Sequence, residues 1–304
     1  MSDLEREYDA ILITGPTASG KSALAVRLAA QAGGVVINAD SMQVYDTLRV
    51  LTARPTEEEM GGIPHHLYGH VPATRVYSTG EWLRNVTALL PQLRAQNRLP
   101  VFVGGTGLYF KALLGGLSDM HEISQEIRCR VRLRLKHEGP RALHEELLRR
   151  DVAMGAALDP SDGQRIVRAL EVLEETGRSI LEFQGKPGLP VIDPERAEKL
   201  VVLPDRAILR SRIDARFERM FDNGAVEEVR ALLALQPNPD LPVMKAIGVP
   251  QIIEMLAGRM TSREVVERAS ALTRQYAKRQ MTWFRNQMDE SWTRIDLSDP
   301  QSLS

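Results

Sequence analysis

Cysteine is all but missing from this chain of 304 residues: Cys129 is the single one. One thiol excludes an internal disulfide and any zinc site built from several cysteines, and it fits a reducing compartment. Long apolar runs are missing too. No stretch approaches the roughly 20 apolar residues of a membrane-spanning helix. The opening residues, Met-Ser-Asp-Leu-Glu-Arg-Glu, lack the basic start and apolar middle of a secretory leader. A cytoplasmic protein with no membrane partner is therefore expected. Net charge is nearly absent, at −1, which argues against a uniformly basic nucleic-acid binder. Internal repeats and low-complexity tracts are also lacking. What remains, 43% hydrophobic and 26% charged, is the composition of a globular protein long enough for one large or two ordinary domains.

The charge that is present is unevenly spread. Between Arg128 and Arg150 stand eight basic residues against three acids. Between Arg263 and Arg285 there are six against two. Either stretch could be a solvated helix face balanced by acids elsewhere, or a surface for a polyanion.

The most informative stretch is Gly15-Pro-Thr-Ala-Ser-Gly-Lys-Ser22, directly after the apolar run that ends at Thr14. It fits G-x-x-x-x-G-K-[ST] in the required context, with a β-rich run before it and a helical run, Ala23 to Gln31, after it. Glycines let the backbone curl so that its N–H groups converge on phosphate oxygens. Lys21 adds a point charge, Ser22 can hold Mg²⁺, and the new helix N-terminus favours an anion. The pattern predicts that residues 15–22 bind a pyrophosphate-like group.

Residues 9–40 read as strand, loop, helix and strand (Val35-Val-Ile-Asn38), the opening of a parallel sheet. Residues 46–78 carry Pro55, Gly61, Gly62, Pro64 and Pro72 and read as irregular. His65, His66 and His70 lie there without carboxylates or cysteines at ligand spacing, so loop packing outweighs a metal site. Ser78 and Glu81 form a capping box for a helix with Trp82, Leu83, Val86, Leu89, Leu90 and Leu93 on one stripe. Leu99 to Val103 is a further strand, ending in Gly104-Gly-Thr-Gly107 before a short helix. In an open α/β sheet the ligand crevice lies at the carboxyl ends of strands. That predicts one rim for the phosphate loop, Asp40-Ser41 and residues 104–107. From Ser118 to about Gly188 strand signals vanish and helices are expected over 124–137, 140–150 and 162–176, with residues 187–190 as a return linker. A strand follows at Lys199–Leu203, then helices broken near Asn223-Gly224 and running to about Gln287, and a last strand within 292–297. The expected fold is α/β: a P-loop NTPase-like parallel sheet with flanking helices (1–117 and 191–304) carrying a helical insertion (118–190).

Asp40 ends a strand on the ligand rim. There it could help hold Mg²⁺, act as a general base, or merely cap the next turn.

Several segments match, in order, those of one family: residues 15–22, Asn38-Ala-Asp-Ser-Met-Gln-Val-Tyr45, Thr52-Ala-Arg-Pro55, Pro64-His-His-Leu67, Val103-Gly-Gly-Thr-Gly-Leu-Tyr109, Asp162 to Val172, Arg212-Ile-Asp-Ala-Arg-Phe217 and Lys278-Arg-Gln-Met-Thr-Trp283. From about Ala10 to Trp283 the chain resembles the bacterial tRNA dimethylallyltransferases, also called tRNA isopentenyltransferases.

The resemblance implies that Gly15, Pro16, Thr17, Ala18, Ser19, Gly20, Lys21 and Ser22 cradle dimethylallyl diphosphate rather than ATP. The exocyclic N6 amine of the adenosine beside the anticodon of a tRNA would attack the allylic carbon, and pyrophosphate would leave, with Mg²⁺ held by Ser22. It further implies Asp40 as general base, Thr106 at the reacting centre, and Lys21 and Arg216 as catalytic cations on the diphosphate. Arg212 reads as surface. Implied tRNA contacts are Asp40, Ser41, Met42, Gln43, Thr106, Arg128, Gln164, Arg165, Ile166, Val167, Arg168 and Lys278. Of these, Ile166 and Val167 have the spacing of residues that pack inward. The partner is then the anticodon stem-loop, and a monomer is the expected state.

Two segments depart from the family pattern. After Lys245-Ala-Ile-Gly248 stands Val249-Pro250 where Tyr and a basic residue are usual, and after Leu67 stands Tyr68-Gly69 where Ile/Leu-Asp is usual. The chain also ends without the zinc finger of some eukaryotic relatives. Three other readings compete: a P-loop kinase of a small molecule or nucleoside, an enzyme prenylating free adenine nucleotides, and a non-catalytic RNA-binding P-loop protein.

Overall fold

In the computed structural model, residues 8–116, 123–184 and 188–297 are described. They fall into two compact units, Met1–Leu114 with Val191–Ser304, and Gly115–Pro190.

The first unit begins β1 (Ala10–Thr14), α1 (Lys21–Gln31), β2 (Val35–Asn38), α2 (Glu57–Met60), β3 (His65–His66), α3 (Thr79–Ala95), β4 (Pro100–Gly104) and α4 (Gly107–Leu113). The second unit contributes α5 (Gln125–Arg150), α6 (Val152–Ala156), α7 (Gly163–Thr176) and α8 (Ile180–Gln184). The chain then returns through β5 (Ala197–Val202), α9 (Arg206–Met220), α10 (Val226–Ala234), α11 (Val249–Leu256), α12 (Ser262–Gln287) and β6 (Thr293–Ile295).

The six strands among the described residues are all parallel and lie in the order β3-β2-β4-β1-β5-β6. Strand residues alternate between two apolar layers, as the pleat requires. Leu12, Ile37, Phe102 and Val201 face a core built with Trp82, Val86, Phe110 and Phe284. Ile13, Val36, Val101 and Val202 face Leu24, Ala25 and Ala29 of α1. Both faces are covered, so the strands read as continuous hydrophobic runs rather than alternating ones. A third cluster packs Tyr45 and Leu48, from the loop after β2, and Val71, after β3, against Phe217, Val229, Val249 and Val265.

The region expected to be irregular holds a two-residue edge strand, β3, whose His65 and His66 register against Val36 and Ile37. Two residues are too few for a period to show. Pro100 opens β4, a strand position where a missing N–H costs little.

The helical unit is organised by α5 and α7 around Val131, Leu143, Leu147, Ile166 and Leu170. Gly139, at φ 81°, breaks α5 where Gly-Pro predicted a boundary. The expected start of the insertion at Ser118 and the first linker residue, Pro187, lie outside the described residues.

A candidate active site on the carboxyl rim of the sheet

The phosphate-loop segment leaves β1 at Gly15, where an added Cβ would come within 2.6 Å of the Val202 carbonyl of β5. Ala18 takes φ 62° and Gly20 φ 92°, so the chain curls back on itself before α1. No side chain caps α1 and no carboxylate sits in its first turn, so its leading N–H groups are unopposed. Lys21 folds over the loop, its Nζ donating to the Pro16 carbonyl at 3.2 Å. Ser19 is fully buried, and its Oγ has no hydrogen-bond partner among the described residues. Burial, helped by repulsion from Arg216 and opposed by the Asp40 carboxylate, pulls the Lys21 ammonium down to about 8. A half-buried cation with uncapped amides beside it is a site made for an anion.

Strand order brings the other groups to this loop, because β4 lies between β1 and β2. Asp40 follows β2 and Thr106 follows β4. The buried Asn38 shapes the Asp40 turn. Its Oδ1 accepts the Asp40 N–H at 2.9 Å, and its Nδ2 donates to the carbonyls of Asp40 and Leu67, each at 3.0 Å. Trp82 donates its indole N–H to the Asn38 carbonyl at 2.8 Å. Asp40 Oδ1 accepts the Met42 N–H at 2.9 Å. Thr106 Oγ1 accepts the Ser41 N–H at 2.9 Å and lies 3.2 Å from Ser41 Oγ. Gly104 permits this approach, since a Cβ there would fall 2.0 Å from the backbone of Ala39.

Arg216, on α9, also faces Asp40. Burial lowers its pKa, while Glu59 and Asp40 favour its charge. Burial and the same Asp40 carboxylate push the hydroxyls of Tyr68 and Tyr276 upward. Gln43 donates its side-chain N–H groups to the carbonyls of Thr52 and Ala53, both at 2.9 Å. Two residues here escaped sequence reasoning, Asn38 and Gln280. Asn38 reads as an ordinary strand end. Gln280 sits in a motif whose only charged neighbours, Lys278 and Arg279, draw the eye.

Hard oxygen donors, the Ser22 hydroxyl and the Asp40 carboxylate, suit Mg²⁺, and Ser22 is exposed in the first turn of α1. No group of three or more His, Cys, Asp or Glu side chains that could cage a metal exists among the described residues. A divalent ion would therefore take most of its ligands from a bound diphosphate and water. His65 packs by Nδ1 against the Ile63 carbonyl at 2.7 Å, and His70 Nε2 meets the Tyr77 hydroxyl at 3.2 Å.

The basic stretches are partly neutralised. On α5, Arg130 pairs with Glu174 at 2.7 Å, Arg132 with the buried Glu171 at 3.2 Å, and Arg150 with Glu146 at 2.7 Å. Arg134 bridges Glu138 and Glu146. Arg128 has no ion-pair partner among the described residues, and Arg165 pairs only with Asp162, at 3.4 Å. On α12, Arg263 pairs with Glu267 and Arg274 with Asp214, while Lys278 is exposed. Within the expected contact segment 164–168, Ile166 and Val167 pack inward as their spacing implies, at 0% and 6% exposed in the helical core. Gln164 and Arg165 are exposed and Arg168 is half-buried near Glu171.

Both departures have a local cause. A Cβ at Gly69 would strike the Arg54 guanidinium, which lies across it and donates to the Tyr45 carbonyl at 3.1 Å. Val249 begins α11 with its side chain fully buried, and Pro250 occupies the first turn, where its missing N–H is harmless.

Comparison with known proteins bears on this rim. The sequence profile of the family described as IPP transferase matches residues 43–287, and that of isopentenyl transferase matches 8–68. A tRNA dimethylallyltransferase of Agrobacterium fabrum is 65% identical over 295 residues, 97% of this chain and 99% of its own length. One from Rhizobium johnstonii is 66% identical over 297 residues, 98% of this chain and 100% of its own. Among solved structures, the tRNA isopentenylpyrophosphate transferase of Bacillus halodurans superposes with a TM-score of 0.68 at 32% identity, over 96% of this chain and 90% of that one. A eukaryotic dimethylallyltransferase acting on tRNA does so at 0.80 and 25% identity, over 94% and 73%.

Proposed function

The chain belongs to the IPP transferase family, and from that premise we propose that it transfers the dimethylallyl group of dimethylallyl diphosphate to the N6 amine of the adenosine beside the anticodon in tRNA, releasing pyrophosphate. The observation that carries this reading is the strand order β2-β4-β1, which sets Asp40, Thr106 and residues 15–22 side by side on one rim.

In the reaction the adenosine nitrogen forms a bond to the allylic carbon as the bond from that carbon to the diphosphate oxygen breaks. The electron pair leaves on oxygen, and the amine proton passes to Asp40. An aryl amine is a weak nucleophile, so a carboxylate within reach of its proton lowers the barrier. Thr106, already oriented by Ser41, is placed to hold the amine or the departing oxygen. Negative charge grows on the leaving group, where Lys21, Arg216 and the leading N–H groups of α1 are fixed in advance. Mg²⁺, held through Ser22 and the diphosphate, would neutralise further charge on the leaving group.

The target base must leave its stack, which is least costly in a single-stranded loop. We assign the polyanion contacts to Arg128, Gln164, Arg165 and Arg168 on the helical unit. In the first unit we assign Ser41, Met42, Gln43 and Lys278, the last in a groove of about 530 Å³ with Arg279 and Trp283. No helix among the described residues is long and apolar enough to cross a membrane, and we place the reaction in the cytoplasm, where tRNA is found.

The test is to offer labelled dimethylallyl diphosphate with bulk tRNA, with AMP, and ATP by itself. Label in tRNA digests as N6-dimethylallyl adenosine is the expected result. ATP turnover, or label in AMP alone, would overturn the assignment.

A further inference from the structure

A buried side chain on α12 links the two halves of the rim. Gln280 is 6% exposed. Its Oε1 accepts the N–H of Thr17 in the phosphate loop at 3.0 Å, and its Nε2 donates to the Gly105 carbonyl at 2.9 Å. A Cβ on Gly105 would lie 2.4 Å from Nε2 and 3.4 Å from Asp40 Oδ2, so amide, turn and carboxylate converge at one point. The next residue, Thr106, binds the Ser41 N–H beside Asp40. A continuous chain of contacts thus runs from the loop that would hold the diphosphate, through Gln280, to the groups that would hold and deprotonate the amine.

We propose that Gln280 is a positioning residue that fixes the distance between the diphosphate loop and the Asp40–Thr106 pair. The inference rests on the proposed transfer reaction. Few side chains can do this. One atom must accept from a backbone N–H while its neighbour donates to a backbone carbonyl, and a formal charge beside both diphosphate and Asp40 would disturb each. A neutral amide of this length meets all three conditions. Glycine at 105 is required for the same reason, because the amide fills the space a side chain would take. Holding reactants at bonding distance is worth orders of magnitude in rate, and an error of about 1 Å can cost about 100-fold.

The test uses Gln280→Met, which removes both hydrogen bonds, and Gln280→Glu, which keeps the shape. Ionised, the glutamate has no proton to give Gly105. Protonated, its hydroxyl can donate to Gly105 while its carbonyl accepts from Thr17. Single-turnover rate, KM for dimethylallyl diphosphate, tRNA affinity and titrated active-site concentration are measured from about pH 6 to 8.5. Wild type and both variants carry the same Asp40, Lys21 and Arg216, so each variant is read as a ratio to the wild type. The expected result is a rate about 10- to 100-fold lower in Gln280→Met at every pH with full active-site titre and unchanged tRNA affinity. The Gln280→Glu ratio is expected to rise as pH falls. Rates per titrated site within twofold of wild type in both variants, or a Gln280→Glu ratio that does not move with pH, would overturn the proposal. An inactive wild type overturns the proposed reaction instead, so the two failures are distinguishable.

Discussion

At the scale of single residues, Asp40 and Lys21 carry the testable chemistry. Asn at position 40 keeps the acceptor for the Met42 N–H but cannot take a proton. Asp40→Asn is expected to lower the single-turnover rate about 10²- to 10⁴-fold while leaving tRNA affinity within a few-fold, measured by rapid quench and filter binding. For Lys21, burial sets the free-protein value near 8, and a bound diphosphate raises it. Binding therefore takes up a proton at and above about pH 8, and diphosphate affinity falls as pH rises through that value. Calorimetry in buffers of different ionisation heat should show about half a proton taken up at about pH 8 in the wild type, and less in Lys21→Met. Both residues were legible because each sits in a local pattern: a G-x-x-x-x-G-K-[ST] loop and an acid at a strand end. Asn38 and Gln280 were not. Gln280 bonds to residues 263 and 175 positions away, and no local pattern records such a partner.

At the scale of elements, local chemistry sets boundaries and distant packing sets turns. The capping box at Ser78 is written in neighbouring residues and α3 begins there; the structure adds a box of the same kind at Thr261, before α12. The turn at 49–51 follows another logic: Glu228 of α10 accepts the N–H groups of Arg49, Val50 and Leu51 at 2.7, 2.5 and 3.1 Å. Glu228→Ala is expected to cost about 2 kcal/mol in urea unfolding, since hydrogen bonds to a charged group are the stronger kind and the amides regain only part of their pairing from water. Glycines divide the same way. Gly104→Ala would drive a methyl into the Ala39 backbone and should destabilise by about 3 kcal/mol. Gly80→Ala, in α3 with its nearest neighbour 3.7 Å away, should be neutral or stabilising by about 0.5–1 kcal/mol. Thermal melts of the pair decide the point.

For the whole molecule, the relevant property is charge left over after internal pairing. The arginines of α5 looked like one basic surface in sequence, yet Glu171 and Glu174 of α7 pair with several of them. The polyanion surface we assign is consequently smaller and centred on Arg128 and Arg165. Replacing each with Ala should weaken tRNA binding similarly across tRNAs and reduce the slope of log affinity against log salt by about 0.7 per lost phosphate contact. Replacing Arg132, paired with a buried Glu171, should instead destabilise the helical unit and leave the salt slope unchanged, because it would leave that buried carboxylate with only the longer pairing to Arg168, at 3.8 Å. Titrations at several salt concentrations, with melting curves beside them, separate the two effects.

The sequence by itself determined the phosphate loop, the strands that feed the rim, the helical stretch between them and the family, because hydrophobic period, glycine placement and caps act between near neighbours in the chain. Only the tertiary structure decided which groups meet. The order β2-β4-β1 is a consequence of crossover packing, and it sets residues 40 and 106 beside residues 15–22. The return of α12 puts Gln280 between two loops, and the approach of α7 to α5 turns apparent surface charge into internal ion pairs. Each of these depends on contacts between segments far apart in sequence, whose energies belong to the folded arrangement rather than to any one stretch.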